Sequence, residues 1–324
     1  MSASALPTPG GPASPAPAGA RGRPRTRRGR SLSRTEMRWG ILFAMPAILG
    51  FLIFTIGPMV ASAFISLTDW TVGGSPRFIG LGNYTEMSQD PLFWKSLGVT
   101  TYYTLAAVPI GLLIGFLVAM LVNAGWRWQS LWRTIYYLPT LVPAVASAVL
   151  WIWIFNPDYG LFNSLLRSAG LPTSSWIYSE STAVPSLIIM STWGFGNAMV
   201  IFLAGLQGVP RQLYEAVSID GGGTWARFRH VTLPFMTPVI FYNLVTGVIG
   251  TFQVFNQAYI MTSGGPNNST LFYIYYLYTK AFTDSAMGYA SALAWVLFVI
   301  ILLITGLLFR NARSWVYYET GGSR

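Results

Sequence analysis

Long stretches without a charged residue dominate this chain, and they restrict its fold more than any other feature. They lie between Arg38 and Asp69, Lys95 and Arg127, Arg133 and Asp158, Glu180 and Arg211, Arg229 and Lys280, and Asp284 and Arg310. Each can hold the roughly 20 apolar residues that cross a bilayer as an α-helix. Only 9% of the residues are charged, against about 25% in soluble domains. The sequence therefore predicts an all-α polytopic membrane protein.

Six transmembrane helices fit these stretches. We place them near residues 41–63, 99–122, 135–155, 184–205, 236–260 and 288–309. A further aromatic stretch, LFYIYYLYT (271–279), follows the turn-rich TSGGPNNST and is short. We interpret it as interfacial or re-entrant, with a seventh span as the alternative. In the second span, Gly111 and Gly115 have the small-xxx-small spacing that allows helices to approach closely.

The basic residues predict the orientation of these helices. Only Arg77, Lys95, Arg167 and Lys280 fall on segments assigned to the outside, and the rest of the 20 Lys and Arg fall on inner segments. This bias predicts that both termini are cytoplasmic. Residues 1–38 are rich in Arg, Pro and Ala, and we expect them to be a disordered cytoplasmic tail. The net charge of +10 then reflects membrane topology rather than nucleic-acid binding.

Composition argues against several chemical functions. The chain has no cysteine and a single histidine, His230, so we expect no metal site, no cofactor and no catalytic residue. Its two lysines, Lys95 and Lys280, do not lie in the Gly-Lys-Ser/Thr context of a phosphate-binding loop, so the chain is not expected to hydrolyse ATP. No acidic residue falls inside a proposed span. That argues against an ion-coupled secondary sugar carrier, which remains the alternative function.

The segment EAVSIDGGGTWARF (215–228) is charged and rich in glycine, and it lies in an inner loop between two apolar spans. Pro210 suits the first turn of a helix, Gly221–Gly223 end that helix, and Thr224 is a candidate cap for a second one. These residues predict a helix, a glycine turn and a helix at the membrane surface. A cytoplasmic partner could grip such a pair; a plain loop resting on lipid head groups is the alternative.

The longer stretch LYEAVSIDGGGTWARFRHVTLPFMTP resembles the EAA loop of binding-protein-dependent ABC importer permeases. The matching positions are Glu215, Ala216, Asp220, Gly221, Val231, Leu233 and Pro234. Val217 stands where the third motif residue is usually alanine. The stretches at 46–70, 78–87, 133–160 and 287–298 are similar to the carbohydrate branch of that family, which includes maltose, multiple-sugar and glycerol-phosphate permeases. The likeness covers residues 40–315.

The resemblance implies the type-1 permease fold of ABC importers, and a division of the chain. We expect a tail at 1–38, a first helix and outer loop at 39–95, a permease domain at 96–311 containing a coupling loop at 206–234, and a cytoplasmic tail at 312–324. In the family, the coupling loop docks on a cytoplasmic ATPase. Glu215 would then meet a basic group of that ATPase, and the Asp220–Gly221 corner would set the angle between the two short helices.

The resemblance also implies a function and a set of partners. The chain would be the permease subunit of an ATP-driven sugar importer in a bacterial cell membrane, and it would form half of the translocation pathway. Its partners would be a second permease, two ATP-binding subunits and an extracytoplasmic substrate-binding protein. In the family, this protein docks where the outer loop GGPNNST lies.

Polar and aromatic residues inside the spans are candidates for contact with a sugar. They are Trp193, Asn197, Gln253, Phe255, Asn256 and Gln257. Amides could hydrogen-bond sugar hydroxyl groups, and aromatic rings could stack on sugar faces. Hydrogen bonding and packing between helices is the alternative explanation for the same residues.

Overall fold

The computed structural model describes residues 34–125 and 127–317, in which regular structure is helical apart from a two-residue bridge between Thr68 and Phe78. Residues 1–33 and 318–324, which hold most of the two predicted tails, lie outside this range. The first α-helices are α1 (Arg34–Phe51), α2 (Gly57–Ile65), α3 (Gly82–Gln89), α4 (Pro91–Asn123), α5 (Gln129–Tyr137), α6 (Ala144–Ile154) and α7 (Leu161–Ser168). They are followed by α8 (Ala183–Thr192), α9 (Gly196–Gln207), α10 (Arg211–Ile219), α11 (Thr224–Arg227), α12 (Leu233–Phe252), α13 (Tyr273–Tyr278) and α14 (Met287–Ala312).

Four uninterrupted helices in the described ranges are long and apolar enough to cross a membrane: Glu36–Ile65, Pro91–Asn123, Thr224–Phe252 and Met287–Ala312. Two bent pairs also qualify, Gln129–Leu141 with Ala144–Ile154, and Ala183–Thr192 with Gly196–Gln207. If each pair is one span, the total is six, as the sequence predicts. The fold is helical because a helix pairs its own backbone N–H and C=O groups, which find no water to bind inside lipid.

The helix boundaries differ from the predictions at several places. The tail was predicted to extend to residue 38, but α1 begins at Arg34. The span predicted near 135–155 is a bent pair of helices rather than one straight helix, because the chain turns by 94° between Leu141 and Ala144. The span predicted near 236–260 is present with different bounds, since its helix starts at Thr224 and ends at Phe252.

The aromatic stretch 271–279 forms the six-residue helix α13, which continues as a π-helical turn over Thr279–Thr283. It is too short to cross a bilayer alone. Inside the predicted C-terminal tail, Val316 packs with Phe241 and Ala312 in a small apolar cluster.

The chain divides into two compact units, Met1–Gly57 and Pro58–Arg324. In the first, the described residues are helical, and the side chains of α1 from Glu36 to Leu49 are exposed. In the second, α4 is the central helix and packs against α8, α9, α12 and α13. Gly115 of α4 allows the close approach predicted for it, because a Cβ there would lie 3.1 Å from Ala198 Cβ of α9.

Asp90 ties three helices of the second unit together at one end. It caps α4 by accepting a hydrogen bond from the Leu92 N–H at 2.9 Å. Its carboxylate also accepts from the hydroxyl groups of Tyr289, at 2.7 Å, and Tyr276. Partial burial alone would raise the pKa of Asp90, but these hydrogen bonds outweigh it and lower the pKa below the ordinary 3.8.

We expect acid to weaken this three-helix junction. A carboxyl whose folded-state pKa is lowered contributes stability above its unfolded pKa and loses it as the pH falls through the folded-state pKa, here below about pH 4. Asp90→Asn should therefore show a smaller drop in melting temperature between pH 6 and pH 3 than the parent protein. The exposed carboxylate variant Glu86→Gln is the control, and an unchanged acid profile in Asp90→Asn would contradict the prediction.

Gly288, at the start of α14, packs against the loop that follows α2. Its N–H donates to the Trp70 carbonyl at 3.0 Å, and a Cβ at this position would lie 2.0 Å from the Thr68 carbonyl oxygen. We expect Gly288→Ala to destabilise the purified protein by about 1–3 kcal/mol through overpacking.

Gly306→Ala, in the same helix, is the matched control. A Cβ at Gly306 meets nothing within 4 Å, so this change should be neutral or stabilising by up to about 1 kcal/mol. Thermal unfolding in detergent measures both variants. Equal melting temperatures for the two would disprove the contact.

Candidate coupling loop and translocation site

A glycine corner ends α10 on the predicted cytoplasmic side. Gly221 has a left-handed backbone with φ of +79°. Its N–H donates to the Ser218 carbonyl at 3.1 Å, and the Gly222 N–H donates to the Val217 carbonyl at 2.8 Å. This pair of bonds is the Schellman motif that closes helices. A Cβ on Gly222 would lie 2.5 Å from Val217 Cγ1, so both glycines are needed for the corner.

The chain after the corner is one helix from Thr224 to Phe252. The prediction of a second short helix that stops before the span is therefore wrong. Thr224 does not act as the predicted cap, because Gly223 occupies the N-cap position without a side-chain hydrogen bond. A π-helical turn, Phe228–Thr232, precedes Pro234, which has no N–H to donate. The Leu233 N–H donates to the Phe228 carbonyl across this turn. The loop is thus continuous with the membrane helix.

Four of the predicted coupling residues, Glu215, Ala216, Asp220 and Gly221, are exposed around this corner. Leu233 is 37% exposed and Pro234 is half-buried, both in the helix leading into the membrane. The Tyr214 and Thr232 hydroxyl groups lie 3.1 Å apart and tie α10 to that helix. We define this assembly, residues 210–234, as the hook.

Two large apolar side chains of the hook escaped the sequence reasoning. Ile219 is 86% exposed and Trp225 is 69% exposed, one on each side of the glycine corner. Such exposure on a charged loop is typical of a contact surface. A signal was present in the sequence, since each apolar residue stands within two positions of the glycine run. Beside the corner, a cavity of about 850 Å³ lies between Trp225, Arg227 and Phe228 and the end of α4.

A second cavity, of about 370 Å³, lies between α4, α8, α9 and α12. Its polar lining residues are Ser191, Asn197, Asn243, Thr246 and Thr251. The Asn243 amide donates to the Val239 carbonyl at 2.9 Å in its own helix. No lining residue is ionisable, so the cavity suits a neutral polar solute. Of the predicted pathway residues, Asn197 lines this cavity.

The other predicted pathway residues lie elsewhere. Trp193 packs its ring against Trp151, with centroids 5.9 Å apart, in an apolar cluster. Phe255 stacks on Tyr259 at 5.2 Å. Sequence reasoning missed Asn243 and Thr246, since one amide or hydroxyl in an apolar stretch does not indicate which helix face it occupies.

The helix break after Phe252 places the remaining candidates near one another. The residues that follow α12, Gln253, Val254 and Phe255, are not helical. Gln253 and Asn256 are exposed there, and Gln257 is half-buried. Thr251, which lines the central cavity, precedes the break by two residues. Non-helical backbone at membrane depth is tolerated where it lines a cavity or is buried in protein, which makes this break a candidate solute contact.

Residues 107–314 match the family described as "Binding-protein-dependent transport system inner membrane component". The chain belongs to this family. It is 42% identical over 299 residues to the Probable ABC transporter permease protein YesP of Bacillus subtilis (strain 168), covering 91% of this chain and 96% of that one. It is 34% identical over 282 residues to the Lactose transport system permease protein LacF of Rhizobium radiobacter, covering 85% and 94%.

The permease also shares its fold with a solved structure. A chain of the crystal structure of a bacterial alginate ABC transporter in complex with alginate pentasaccharide-bound periplasmic protein aligns with a TM-score of 0.76. The two are 23% identical, and the alignment covers 86% of the permease and 96% of that chain. The predicted type-1 permease fold of a multi-pass inner-membrane transport component is therefore confirmed.

The left-handed corner of the hook can be tested directly. Gly221→Ala should strain the corner by about 1–2 kcal/mol, because a Cβ disfavours left-handed backbone. Amide exchange at residues 221 and 222 should then accelerate about 5- to 30-fold. Gly223→Ala is the control, since Gly223 has a φ of −77° and open space around it. Equal exchange rates in the two variants would contradict the assignment.

Proposed function

We propose that this permease forms half of the translocation pathway of an ATP-driven, binding-protein-dependent importer for a sugar or a related polyol or glycoside. The observation that carries the proposal is the exposed hook, which is continuous with a membrane helix. In this proposal a separate ATPase subunit grips the hook, and ATP is hydrolysed on that subunit. A second permease completes the pathway, and an extracytoplasmic binding protein delivers the solute.

Exposure and charge support the docking of an ATPase on the hook. Ile219 and Trp225 supply an apolar anchor at the corner, and Glu215 and Asp220 add exposed carboxylates beside it. Buried apolar anchors ringed by polar groups are the usual anatomy of protein interfaces. Arg227 and Arg229 on the following helix are also exposed. The hook therefore presents both signs of charge around an apolar centre.

The continuity of the helix supports the transmission of movement. Thr224–Phe252 carries the second half of the hook at one end, and at the other end it reaches Thr251 and the break at Gln253. Asn243 and Thr246 of the same helix line the central cavity. A displacement of the hook would therefore move the walls of the cavity without an intervening flexible loop.

The chemistry of the cavity and of the break supports a neutral, hydroxyl-rich solute. Asn197, Asn243 and Thr246 offer both donors and acceptors, while Gln253, Phe255, Asn256 and Gln257 lie at the break beyond the cavity. Trp193, which is packed against Trp151, would position the cavity wall rather than touch the solute. Similarity to the lactose permease LacF supports a sugar. An ion-coupled secondary carrier gains no support here, because no ionisable residue lines the cavity.

Charge reversal at Glu215 tests the docking. In the reconstituted importer, Glu215→Lys should reduce ATP-dependent sugar uptake at least about tenfold, because opposing like charges across an interface cost several kcal/mol. The ATPase subunit should also co-purify less well with the variant.

Glu86→Lys is the control, since it makes the same charge change at an exposed site on α3, far along the chain from the hook. It should retain the ATPase subunit. If Glu215→Lys kept both ATPase association and uptake at the parental level, the docking role of the hook would be refuted.

A further inference from the structure

Helix α5 does not continue straight into the next helix. The segment Gln129–Leu141 meets α6 at 94°. It lies next to the end of α4, on the side of the membrane predicted to be cytoplasmic. Its sequence, QSLWRTIYY, is amphipathic, which is typical of helices that rest in the lipid interface.

One face of this segment is apolar and largely exposed in the described structure. Trp128 is 73% exposed, Leu131 50%, and Trp132 and Ile135 42% each. Their spacing of three, one and three residues places them on a single helix face. Tryptophan is enriched at the membrane–water interface, where its ring lies in the apolar region and its N–H reaches polar groups. The residues of this face are therefore of the types that contact lipid at the membrane interface.

Residues beside this apolar face attach α5 to the helix bundle. The Gln129 side chain donates to the Val122 carbonyl at the end of α4, at 2.7 Å. The ring of Tyr136 packs against Phe195 beside α9, with centroids 6.0 Å apart. Gly196 of α9 is needed for this contact, since a Cβ there would lie 2.8 Å from the Tyr136 carbonyl oxygen. The helix is held firmly against the bundle.

A small crevice opens between α5 and α4. It has a volume of about 140 Å³ and is lined by Leu121, Val122, Gln129, Trp132 and Tyr136. Leu121 and Trp132 are exposed at its sides. Its walls are mostly apolar side chains, and it adjoins the apolar face of α5. A hydrocarbon chain has the shape and chemistry to fill it.

The chain around α5 carries two arginine residues, Arg127 and Arg133. The Nε–H of Arg133 is buried, and it has no hydrogen-bond partner in the described part of the chain. Buried donors are almost always paired with protein, ordered water or a bound group, so this N–H is available to a group from outside the chain. Arg127 is exposed at the start of the same segment. Guanidinium groups bind phosphate in a bidentate manner, and anionic lipids attract basic residues beside a membrane.

We propose that α5 and the end of α4 form a binding site for one anionic phospholipid. The headgroup phosphate binds Arg133 and Arg127, and an acyl chain lies in the crevice beside Trp132 and Leu121. The apolar face of α5 rests in the surrounding lipid. This site does not depend on the identity of the transported solute or on the docking of the hook. Helix α5 packs on α9, and α9 precedes the hook. The bound lipid would therefore stabilise the position of α9.

Native mass spectrometry tests the headgroup contact. The full-length permease in its importer complex is placed in nanodiscs of phosphatidylcholine with increasing phosphatidylglycerol, and retained phosphatidylglycerol is counted. Arg133→Gln should retain at least fivefold less than the parent, and Arg133→Lys, which keeps the charge, should retain an intermediate amount. Arg313→Gln removes an exposed arginine elsewhere and should retain the parental amount.

A fluorescent probe tests the apolar face independently. The chain has no cysteine, so Leu131→Cys can be labelled alone with an environment-sensitive dye in the same complex. Brominated phosphatidylcholine should quench this probe strongly, and a probe at the exposed Ser130→Cys should be quenched less. Parental lipid retention by a folded Arg133→Gln would overturn the headgroup site. A probe on Leu131→Cys that brominated lipid does not quench would overturn the lipid assignment of the face.

Discussion

Backbone hydrogen bonding inside hydrocarbon is the constraint on which this structure depends. A peptide N–H or C=O that lacks a partner in the bilayer costs several kcal/mol, so the chain forms helices wherever it crosses lipid. The long helices Pro91–Asn123 and Met287–Ala312 follow directly from this constraint. Interruptions are costly, and they occur where side chains or neighbouring helices compensate. The interruptions are therefore the informative parts of the fold.

Three interruptions lie beside the features that matter for transport. The bend between α8 and α9 flanks Asn197 and the central cavity. The break after Phe252 exposes Gln253 and Asn256 near the cavity. The right-angled turn after Leu141 separates α5 from α6. In each case a packed core remains beside the break, such as the cluster that includes Tyr103, Phe272 and Trp151. The irregular backbone thus lies around the proposed solute path and the proposed lipid site.

The sequence predicted the positions of the apolar segments and the place of the hook for identifiable reasons. Charged residues are expensive in lipid, so the intervals between them bound the spans, and the three glycines at 221–223 mark the corner. It did not predict the turn before Ala144, because an interval free of charge limits where a span lies but not whether its helix is straight. Pro139 and Pro143 flank this turn and were the available signal. The assignment of Trp193 to the pathway likewise depended on a helix face that only tertiary packing fixes.

The unbroken helix from Thr224 to Phe252 has a mechanical consequence. At a rise of about 1.5 Å per residue, its 29 residues form a rod of roughly 43 Å. A tilt of about 10° around one end would sweep the other end through about 7 Å, by the geometry of a rigid rod of that length. The π turn widens this rod without severing it. A small change of angle at the hook would thus displace the far end of this helix, beside the central cavity, by several ångströms.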